Sequence, residues 1–483
     1  MHSPPHPDTA RVRASIDHPI IDGDGHAVEY LPAIFDLVRE VGGAKAVDAF
    51  RGLIAGTCAI RSLSRGDALR FGAFRMSWWG LTVDALDRAS VMLPRLFHDR
   101  LDELGLDVAI VYPTYGLMAI GIHDPDVRIP VARAFNRYFA AEYAPYADRV
   151  LPAATIPVHT PAEAVDELDH AVGTLGLKVA MLSGHVVRPR PGSGDPRGAH
   201  WIDTLGINSE HDYDPLWRRC AELGIAPTFH SSALGLDTHE SPTNYVYNKL
   251  GSFAGSLHAL CRSLVLAGVP HRFPTLRFGF LEGGAGWAAM LHADLLAHWR
   301  KRSATAVARY DPRRLDRARL RSLFAEHASP ALRSKSDRLE EWLHPLSDPD
   351  DPAVDEFAAT GFRAADDVSR LFAERLYFGC EADDPVNAWA FDAHVNPNGL
   401  KLRALFGSDI AHWDVPDLRC AVAESHELVD EGLLTPDDYR AFVFENAVDL
   451  WGGVNPRFFE GTRVADAARR RLEARAAASA GSR

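Results

Sequence analysis

The sequence predicts an α/β protein built as a (β/α)8 barrel. Eight short apolar runs alternate with amphipathic helical stretches, a pattern typical of a parallel sheet that is covered by helices. Most of the runs are continuously apolar, as expected for strands buried on both faces. A chain of 483 residues is long enough for one such barrel together with helical insertions.

The predicted strands are short apolar runs, and several of them end in glycine or in polar residues. In chain order they are PIIDGDGH (19–26), LDVAIVYPT (106–114), VLPAATIPV (150–158), LKVAMLSG (177–184), GIAPTFHSS (224–232), LRFGFLEGG (276–284), RLYFGCE (375–381) and LRALFGSD (402–409).

Two long helical insertions are expected, one after the first strand and one after the sixth. A polar, proline-rich N-terminus is predicted to be a flexible tail, and the Arg- and Ala-rich C-terminus a helix that frays into a tail. A Pro/Gly-rich loop at 186–212 is expected over the active-site face, because long loops after barrel strands usually lie there. The predicted boundaries are 1–17 for the N-terminal tail, 18–460 for the barrel, about 35–100 and 290–372 for its insertions, and 461–483 for the C-terminal segment.

Composition excludes several classes of protein. The net charge of -13 argues against nucleic acid as the main partner, since no basic field is present to replace phosphate counterions. Five scattered cysteines without a CxxC pair indicate reduced, intracellular thiols. The sequence shows neither a secretory h-region nor an apolar run of membrane-spanning length. We therefore expect a cytoplasmic protein that acts on a small molecule and has no membrane partner.

Polar side chains with metal-binding capacity follow five of the predicted strands. The first strand carries Asp22, Asp24 and His26, which strict alternation would place on one face. Because the carboxyl ends of barrel strands meet at one mouth, these groups should lie close together. The full set at strand ends is Asp24, His26, His230, Glu282, Glu381, Asp409 and His412.

Four of these residues form a candidate site for one divalent ion. Imidazole and carboxylate ligands suit Zn, Mn or Fe, and a Lewis acid lowers the pKa of bound water. Taken singly, each residue has a structural alternative: a turn, a core histidine or a helix cap. Their coincidence at successive strand ends favours a site, with Asp409 also able to accept a proton. The predicted ligands are Asp24, His26, His230 and Asp409.

The motifs DGDGH, TFHSS, GFLEGGAGW, GSDIAHWD and FVFENAVDLWG resemble the amidohydrolase-related family over roughly residues 18–455. This family includes aminocarboxymuconate semialdehyde decarboxylase and the resorcylate decarboxylases. The resemblance implies that Asp24 and His26 are an acidic variant of a His-x-His motif. It also implies metal binding by His230, a ligand and acid/base role for Asp409, and a homodimer.

One position departs from the pattern of the family. The decarboxylases commonly carry a catalytic histidine on strand six, where this chain has Glu282, so decarboxylation of the standard type is in doubt. Glu282 is predicted to act as a general acid or base, or to approach the metal. A carbamylated bridging lysine is not expected, because Lys178 lies at the start of strand four. We therefore expect a single metal ion, with zinc as the first candidate and Mn or Fe as alternatives.

Candidate substrate-binding residues are cationic or aromatic and follow the predicted strands. Guanidinium groups and indole rings suit a carboxylate and a flat acyl or aromatic group. Packing of the loops against the barrel is an equally good explanation for most of them, and His412 can instead orient a metal ligand. The candidates are Arg75, Trp78, Trp79, His185, Arg188 and His412.

Three functions follow from these observations. The first is hydrolysis of a small carboxylate, cyclic or aromatic molecule by a metal-activated water, with Asp409 and Glu282 as catalytic residues. The alternative is a non-oxidative decarboxylase of an aromatic or unsaturated acid. The third is a non-catalytic barrel used for binding, which the intact set of four ligands disfavours.

Overall fold

The computed structural model describes residues 4–76, 81–190, 200–230, 241–347, 355–412 and 414–481. Eight parallel strands form a nearly closed barrel in the order β1-β2-β3-β4-β7-β8-β9-β10. Seven of them lie within the predicted runs, and β1 extends one residue beyond its run. The barrel prediction is therefore confirmed. The barrel strands are β1 (Ile21–Ala27), β2 (Val108–Pro113), β3 (Val150–Ile156), β4 (Val179–Ser183), β7 (Pro227–His230), β8 (Phe278–Phe280), β9 (Leu376–Glu381) and β10 (Arg403–Gly407).

The predicted loop at 186–212 contains a hairpin that the sequence analysis missed. Its strands are β5 (Val186–Pro189) and β6 (His200–Asp203), which pair antiparallel. Arg188 on β5 bonds to the buried carboxylate of Asp203 on β6 at 2.5 Å. An ion pair between residues that are distant in the chain leaves no periodic signal in a Pro/Gly-rich sequence, which is why the hairpin was not predicted.

Helices cover the barrel and form the segments between its strands. In the first predicted insertion, a long helix packs along the helix that follows β2. Gly42 lies in this contact, where a Cβ atom would come within 2.6 Å of Pro130. The helices up to β9 are α1 (Pro7–Ser15), α2 (Leu31–Arg61), α3 (Arg65–Phe71), α4 (Ala85–Met92), α5 (Pro94–Leu104), α6 (Gly116–Ala119), α7 (Pro125–Tyr143), α8 (Pro161–Leu168), α9 (Asp214–Leu223), α10 (Tyr245–Lys249), α11 (Ser252–Leu266), α12 (Val269–Arg272), α13 (Gly286–Arg302), α14 (Ala304–Val307), α15 (Arg317–His327), α16 (Pro330–Arg333), α17 (Leu339–Ser347) and α18 (Ala365–Glu374).

The N-terminal segment differs from the predicted flexible tail, because α1 packs on the barrel. Val12 and Thr9 are fully buried, and the Thr9 hydroxyl donates to the carbonyl of Arg419 at 2.5 Å. The remaining helices are α19 (Asn387–Phe391), α20 (Ala421–Asp430), α21 (Pro436–Arg440) and the C-terminal α22 (Ala465–Gly481). None of the helices in the described part of the chain is long and apolar enough to cross a membrane.

The first and last barrel strands are joined where each reaches the mouth. The amide of Asp409 donates to the carbonyl of Asp24 at 3.0 Å, and the amide of His26 donates to the carbonyl of Ile410 at 3.0 Å. Gly407 permits this approach, since a Cβ atom there would lie 2.8 Å from the Cβ of Asp24. The closure therefore places the ends of β1 and β10 side by side.

Asp22 stabilises this junction. Strict alternation predicted that Asp22 would lie on the same face of the strand as Asp24 and His26, and this prediction is wrong. The pairing register of β1 with β2 shifts between Asp22 and Gly25, which is why the alternation fails. The buried Asp22 carboxylate accepts hydrogen bonds from the amide and hydroxyl of Ser408, at 3.0 and 2.5 Å. It also accepts from the amide of Asp24 at 3.2 Å.

We predict that Asp22→Ala lowers the free energy of unfolding by about 3 kcal/mol, because it leaves buried donors of Ser408 and Asp24 without an acceptor. Urea unfolding would measure the loss. Asp17→Ala is the matched control: Asp17 forms an exposed ion pair with Arg440, so its loss should cost no more than about 0.5 kcal/mol. Equal losses in the two variants would contradict the role given to Asp22.

Candidate metal centre

The structure brings the four predicted metal ligands together at the mouth of the barrel. Asp24 and His26 lie at the end of β1, His230 ends β7, and Asp409 follows β10. The Nε2 atoms of His26 and His230 are 2.9 Å apart. Nε2 of His230 lies 3.7 Å from Oδ1 of Asp24, and Nε2 of His26 lies 3.5 Å from Oδ1 of Asp409.

These side chains are buried, and several of their polar atoms lack a hydrogen-bond partner. His230 is 0% exposed, His26 1%, and Asp24 and Asp409 5% each. Within the described residues, Oδ1 of Asp24 and Oδ2 of Asp409 have no hydrogen-bond partner, while Oδ1 of Asp409 lies close to the rings of His26 and His412. Orphaned buried oxygens beside two imidazole nitrogens that face each other fit a bound cation. The residues present therefore suit a divalent metal ion.

Burial also shifts the pKa values of the candidate metal ligands. It lowers the pKa of His26 well below its usual value, so the imidazole is the neutral form that binds metals. Burial, together with the nearby charges of Glu282 and Asp409, raises the pKa of Asp24 well above its usual value. Burial and Glu282 do the same for Asp409. Carboxylates crowded in this way are stabilised in their ionised form only if a cation is present.

Glu282 adjoins the ligands and is paired with a lysine. Its Oε2 lies 3.3 Å from Nε2 of His230, and its Oε1 accepts from Nζ of Lys249 at 3.1 Å. Burial alone would raise the pKa of Glu282, but the charges of Lys249 and His230 outweigh it and hold the pKa below its usual value. Lys249 ends α10 and was missed by the sequence analysis, which considered lysines only at strand ends.

The backbone is strained at two of the carboxylates. Glu282 has φ 59° and Asp409 has φ 48°, both in the left-handed region that favours glycine. Such a conformation costs about 1–3 kcal/mol and persists where the surrounding structure imposes it. Here it occurs at the ends of β8 and β10, where the two side chains enter the same polar cluster.

A cavity of about 840 Å³ adjoins this centre. Glu282, Lys249 and His412 belong to its lining, and Nδ1 of His412 lies 2.6 Å from Oδ1 of Asp409. Much of the remaining lining is apolar and comes from α2, the segment after β2, the hairpin and α11. These apolar residues are Ala49, Phe50, Leu53, Met76, Leu117, Met118, Ile120, Ile122, Val127, Val186, Val187 and Phe253.

Two of the predicted substrate-binding residues, His185 and His412, line the cavity. Arg75 and Arg188 are not among the described lining residues. Arg188 bonds to Asp203 and donates to the carbonyl of His159, so it holds the hairpin in place. The main chain of Arg75 pairs with Ser241 and Asn248. Trp78 and Trp79 lie outside the described residues.

Arg61, the last residue of α2, also belongs to the cavity and was not predicted from the sequence. Arg61 lines the cavity, its Nε is buried without a hydrogen-bond partner, and it forms no ion pair within the described residues. His123 and His159 line the same cavity, with ring centroids 6.0 Å apart. None of these residues stands at a strand end, so no spacing in the sequence indicated them.

A family model described as Amidohydrolase matches residues 97–332. One similar solved structure is an amidohydrolase from Mycobacterium avium subsp. paratuberculosis K-10, with 20% identity over 76% of each chain and a TM-score of 0.45. Another is 2,6-dihydroxybenzoate decarboxylase from Rhizobium, with 16% identity over 90% of this chain and 99% of that one and a TM-score of 0.47. A third is 5-carboxyvanillate decarboxylase from Novosphingobium aromaticivorans DSM 12444 with bound manganese, with 14% identity, coverage of 90% and 97%, and a TM-score of 0.47.

The matched residues include His230 and Glu282. Asp24 and Asp409 lie outside the match; the barrel places Asp24 beside His230 and Asp409 beside His26. The family model and the resemblance seen in the sequence motifs agree: over residues 97–332 the chain is similar to the amidohydrolase family.

Proposed function

We propose that the protein is a metal-dependent, non-oxidative decarboxylase of an aromatic or unsaturated carboxylic acid. The observation that supports this function is the apolar cavity of about 840 Å³ beside a buried group of metal ligands. Decarboxylation is also the reaction named for the dihydroxybenzoate and 5-carboxyvanillate decarboxylases. In this chain it is supported by the cavity and by the charges at its polar end.

The apolar lining favours a flat hydrocarbon skeleton as substrate. Phe50 and Phe253 offer aromatic surface on which a ring or a conjugated chain can pack. A carboxylate that leaves water for such a site loses hydration, whereas the carbon dioxide formed from it is neutral. Transfer of the carboxylate from water into this apolar site therefore favours its loss as carbon dioxide.

Positive charge at the end of the cavity next to the candidate metal ligands would hold the carboxylate of the substrate. Lys249 lines the cavity next to Glu282, with its side chain 22% exposed. When bound to the four ligands, a divalent ion supplies charge that draws electron density from the bond to be broken. Arg61 is a further cation on the lining without an ion pair in the described part of the chain. It is placed to bind a second polar or anionic substituent of the substrate.

His412 and Asp409 form the pair that would exchange a proton with the substrate. Nδ1 of His412 lies 2.6 Å from Oδ1 of Asp409, and His412 lines the cavity. In the reaction the carbon–carbon bond to the carboxylate breaks, and its electron pair stays on the carbon of the substrate. A proton from the His412–Asp409 pair then forms the new carbon–hydrogen bond as carbon dioxide leaves.

Hydrolysis remains a second candidate because of one observation. Glu282 stands where related decarboxylases commonly have a catalytic histidine, and its Oε2 lies 3.3 Å from His230. A carboxylate at this place can accept a proton from an attacking water. In that case oxygen from solvent water would enter the product at the reacting carbon, and no carbon dioxide would form.

We predict that the manganese- or zinc-loaded protein releases carbon dioxide from at least one acid in a panel of hydroxybenzoates and conjugated dienoates. Carboxyl-labelled substrates in ¹⁸O-water separate the two reactions. His230→Ala should lose at least about a hundredfold in rate, because it removes a metal ligand, whereas His298→Ala, at an exposed position of α13, should keep full activity. Solvent oxygen in the product without carbon dioxide would contradict decarboxylation.

We predict that Arg61→Gln raises KM about tenfold or more while kcat stays within about threefold, since a charged hydrogen bond of about 1.5–3 kcal/mol is lost in substrate binding. Steady-state kinetics on the best acid of the panel would measure both constants. Arg70→Gln, at an exposed position of α3, is the matched control. An unchanged KM in Arg61→Gln would remove Arg61 from the substrate site.

A further inference from the structure

A second group of possible ligands consists of carboxylates alone and shares Asp409 with the first group. Glu282, Glu381 and Asp409 follow or end the neighbouring strands β8, β9 and β10. One carboxylate oxygen from each lies within 4.8 Å of the other two. Glu282 and Asp409 are buried, and Glu381 is half-buried. This set contains only oxygen donors, unlike the group of Asp24 with the two histidines.

Asp409 belongs to both groups and has an oxygen available for each. Its Oδ1 lies 3.5 Å from Nε2 of His26 and 2.6 Å from Nδ1 of His412. Its Oδ2 is buried and has no hydrogen-bond partner within the described residues. A side chain only 5% exposed with an unsatisfied oxygen is costly, unless a bound group satisfies it.

The charges of the cluster also indicate a second cation. Asp414, a half-buried residue whose Oδ1 has no hydrogen-bond partner, adds to the negative charge around Asp409 and Glu381. Lys249 is the one cationic side chain that offsets these groups in the described part of the site. Against five carboxylates and one ammonium, a first divalent ion leaves two negative charges uncompensated, and a second removes both. The carboxylates are Asp24, Glu282, Glu381, Asp409 and Asp414.

We propose that Glu282, Glu381 and Asp409 bind a second divalent cation, with Asp409 shared between it and the ion of the His26–His230 group. Carboxylate oxygens are the ligands preferred by Mg²⁺, Mn²⁺ and Ca²⁺. The proposal rests on the first metal site of the proposed function and revises the single ion expected from the sequence. Glu282, which replaces an imidazole usual in related decarboxylases, thereby becomes a ligand.

Lys249 provides the competing explanation. Its ammonium lies 3.1 Å from Oε1 of Glu282 and partly neutralises the cluster without a second ion. One ammonium cannot balance three carboxylates, but protons on Glu381 and Asp409 would complete the balance. The two explanations differ in a countable quantity, the number of metal ions that each chain binds.

The experiment is a titration of the full chain, stripped of metal with a chelator, with Mn²⁺. Bound manganese is counted by mass spectrometry after removal of free ions. We expect about two Mn²⁺ per chain in the native protein and about one in Glu381→Gln, whose shape is conserved. Asp383→Asn is the matched control, because Asp383 is an exposed acid two residues away; it should keep both ions.

Electron paramagnetic resonance gives a second readout, whose main result comes from the native protein. Two Mn²⁺ ions that share Asp409 should show an exchange-coupled spectrum at full loading, and Glu381→Gln should show only the signal of an isolated ion. One Mn²⁺ per native chain, lost in His230→Ala and retained in Glu381→Gln, would overturn the second site and leave the first intact. No bound manganese at all would contradict both sites.

We further predict that Lys249→Met lowers the dissociation constant of the more weakly bound Mn²⁺ by about fivefold or more. The substitution removes a positive charge beside Glu282 that would repel the ion. The same titration measures this change. Unchanged or weaker binding of that ion in Lys249→Met would overturn its placement at Glu282.

Discussion

The site depends on the junction between the first and last strands of the barrel. Asp22 accepts hydrogen bonds from Ser408, and the amide of Asp409 bonds to the carbonyl of Asp24. These bonds bring two segments from opposite ends of the chain to within ligand distance of each other. Without the junction, Asp409 would not lie 3.5 Å from His26. The candidate metal ligands at the two strand ends are thus held in place by backbone hydrogen bonds and by the buried carboxylate of Asp22.

Electrostatic balance connects this junction to function. The barrel mouth concentrates carboxylates where burial makes their charge expensive, and it supplies Lys249 as the nearby cationic side chain. Under the proposed function, divalent cations would balance the remaining negative charge. Once bound, they would attract a negatively charged substrate into a cavity whose other walls are mainly apolar. The cost of burying the carboxylates would in this way be linked to the binding of metal and of substrate.

The barrel and the gathering of the four candidate metal ligands at its mouth could be predicted from the sequence because both follow local rules. Continuous apolar runs mark buried strands, and parallel strands bring their carboxyl ends to one mouth, so Asp24, His230 and Asp409 could be assigned together. Asp22 was placed wrongly with them, because a register shift within β1 has no local signal. The packing of α1 also depends on long-range contacts, such as that of Thr9 with Arg419.

Residues on helices were beyond the reach of the same rules. Lys249 and Arg61 enter the site from the ends of α10 and α2, and nothing in their neighbouring sequence fixes where those helices dock. Their positions follow from tertiary packing, such as the bond from the Asn248 side chain to the carbonyl of Arg75. Periodicity can indicate that a helix exists, but not which cavity its last residue reaches.

The exchange of an imidazole for Glu282 changes what the site can do. A neutral imidazole beside a metal can accept a proton and adds no negative charge to its surroundings. A carboxylate at the same place adds a full negative charge next to His230 and must be compensated. Lys249 supplies part of the compensation at 3.1 Å. The carboxylate after strand six is thus accompanied in this chain by a cationic partner from α10, and the proposed second ion would give the carboxylates of β9 and β10 a shared role.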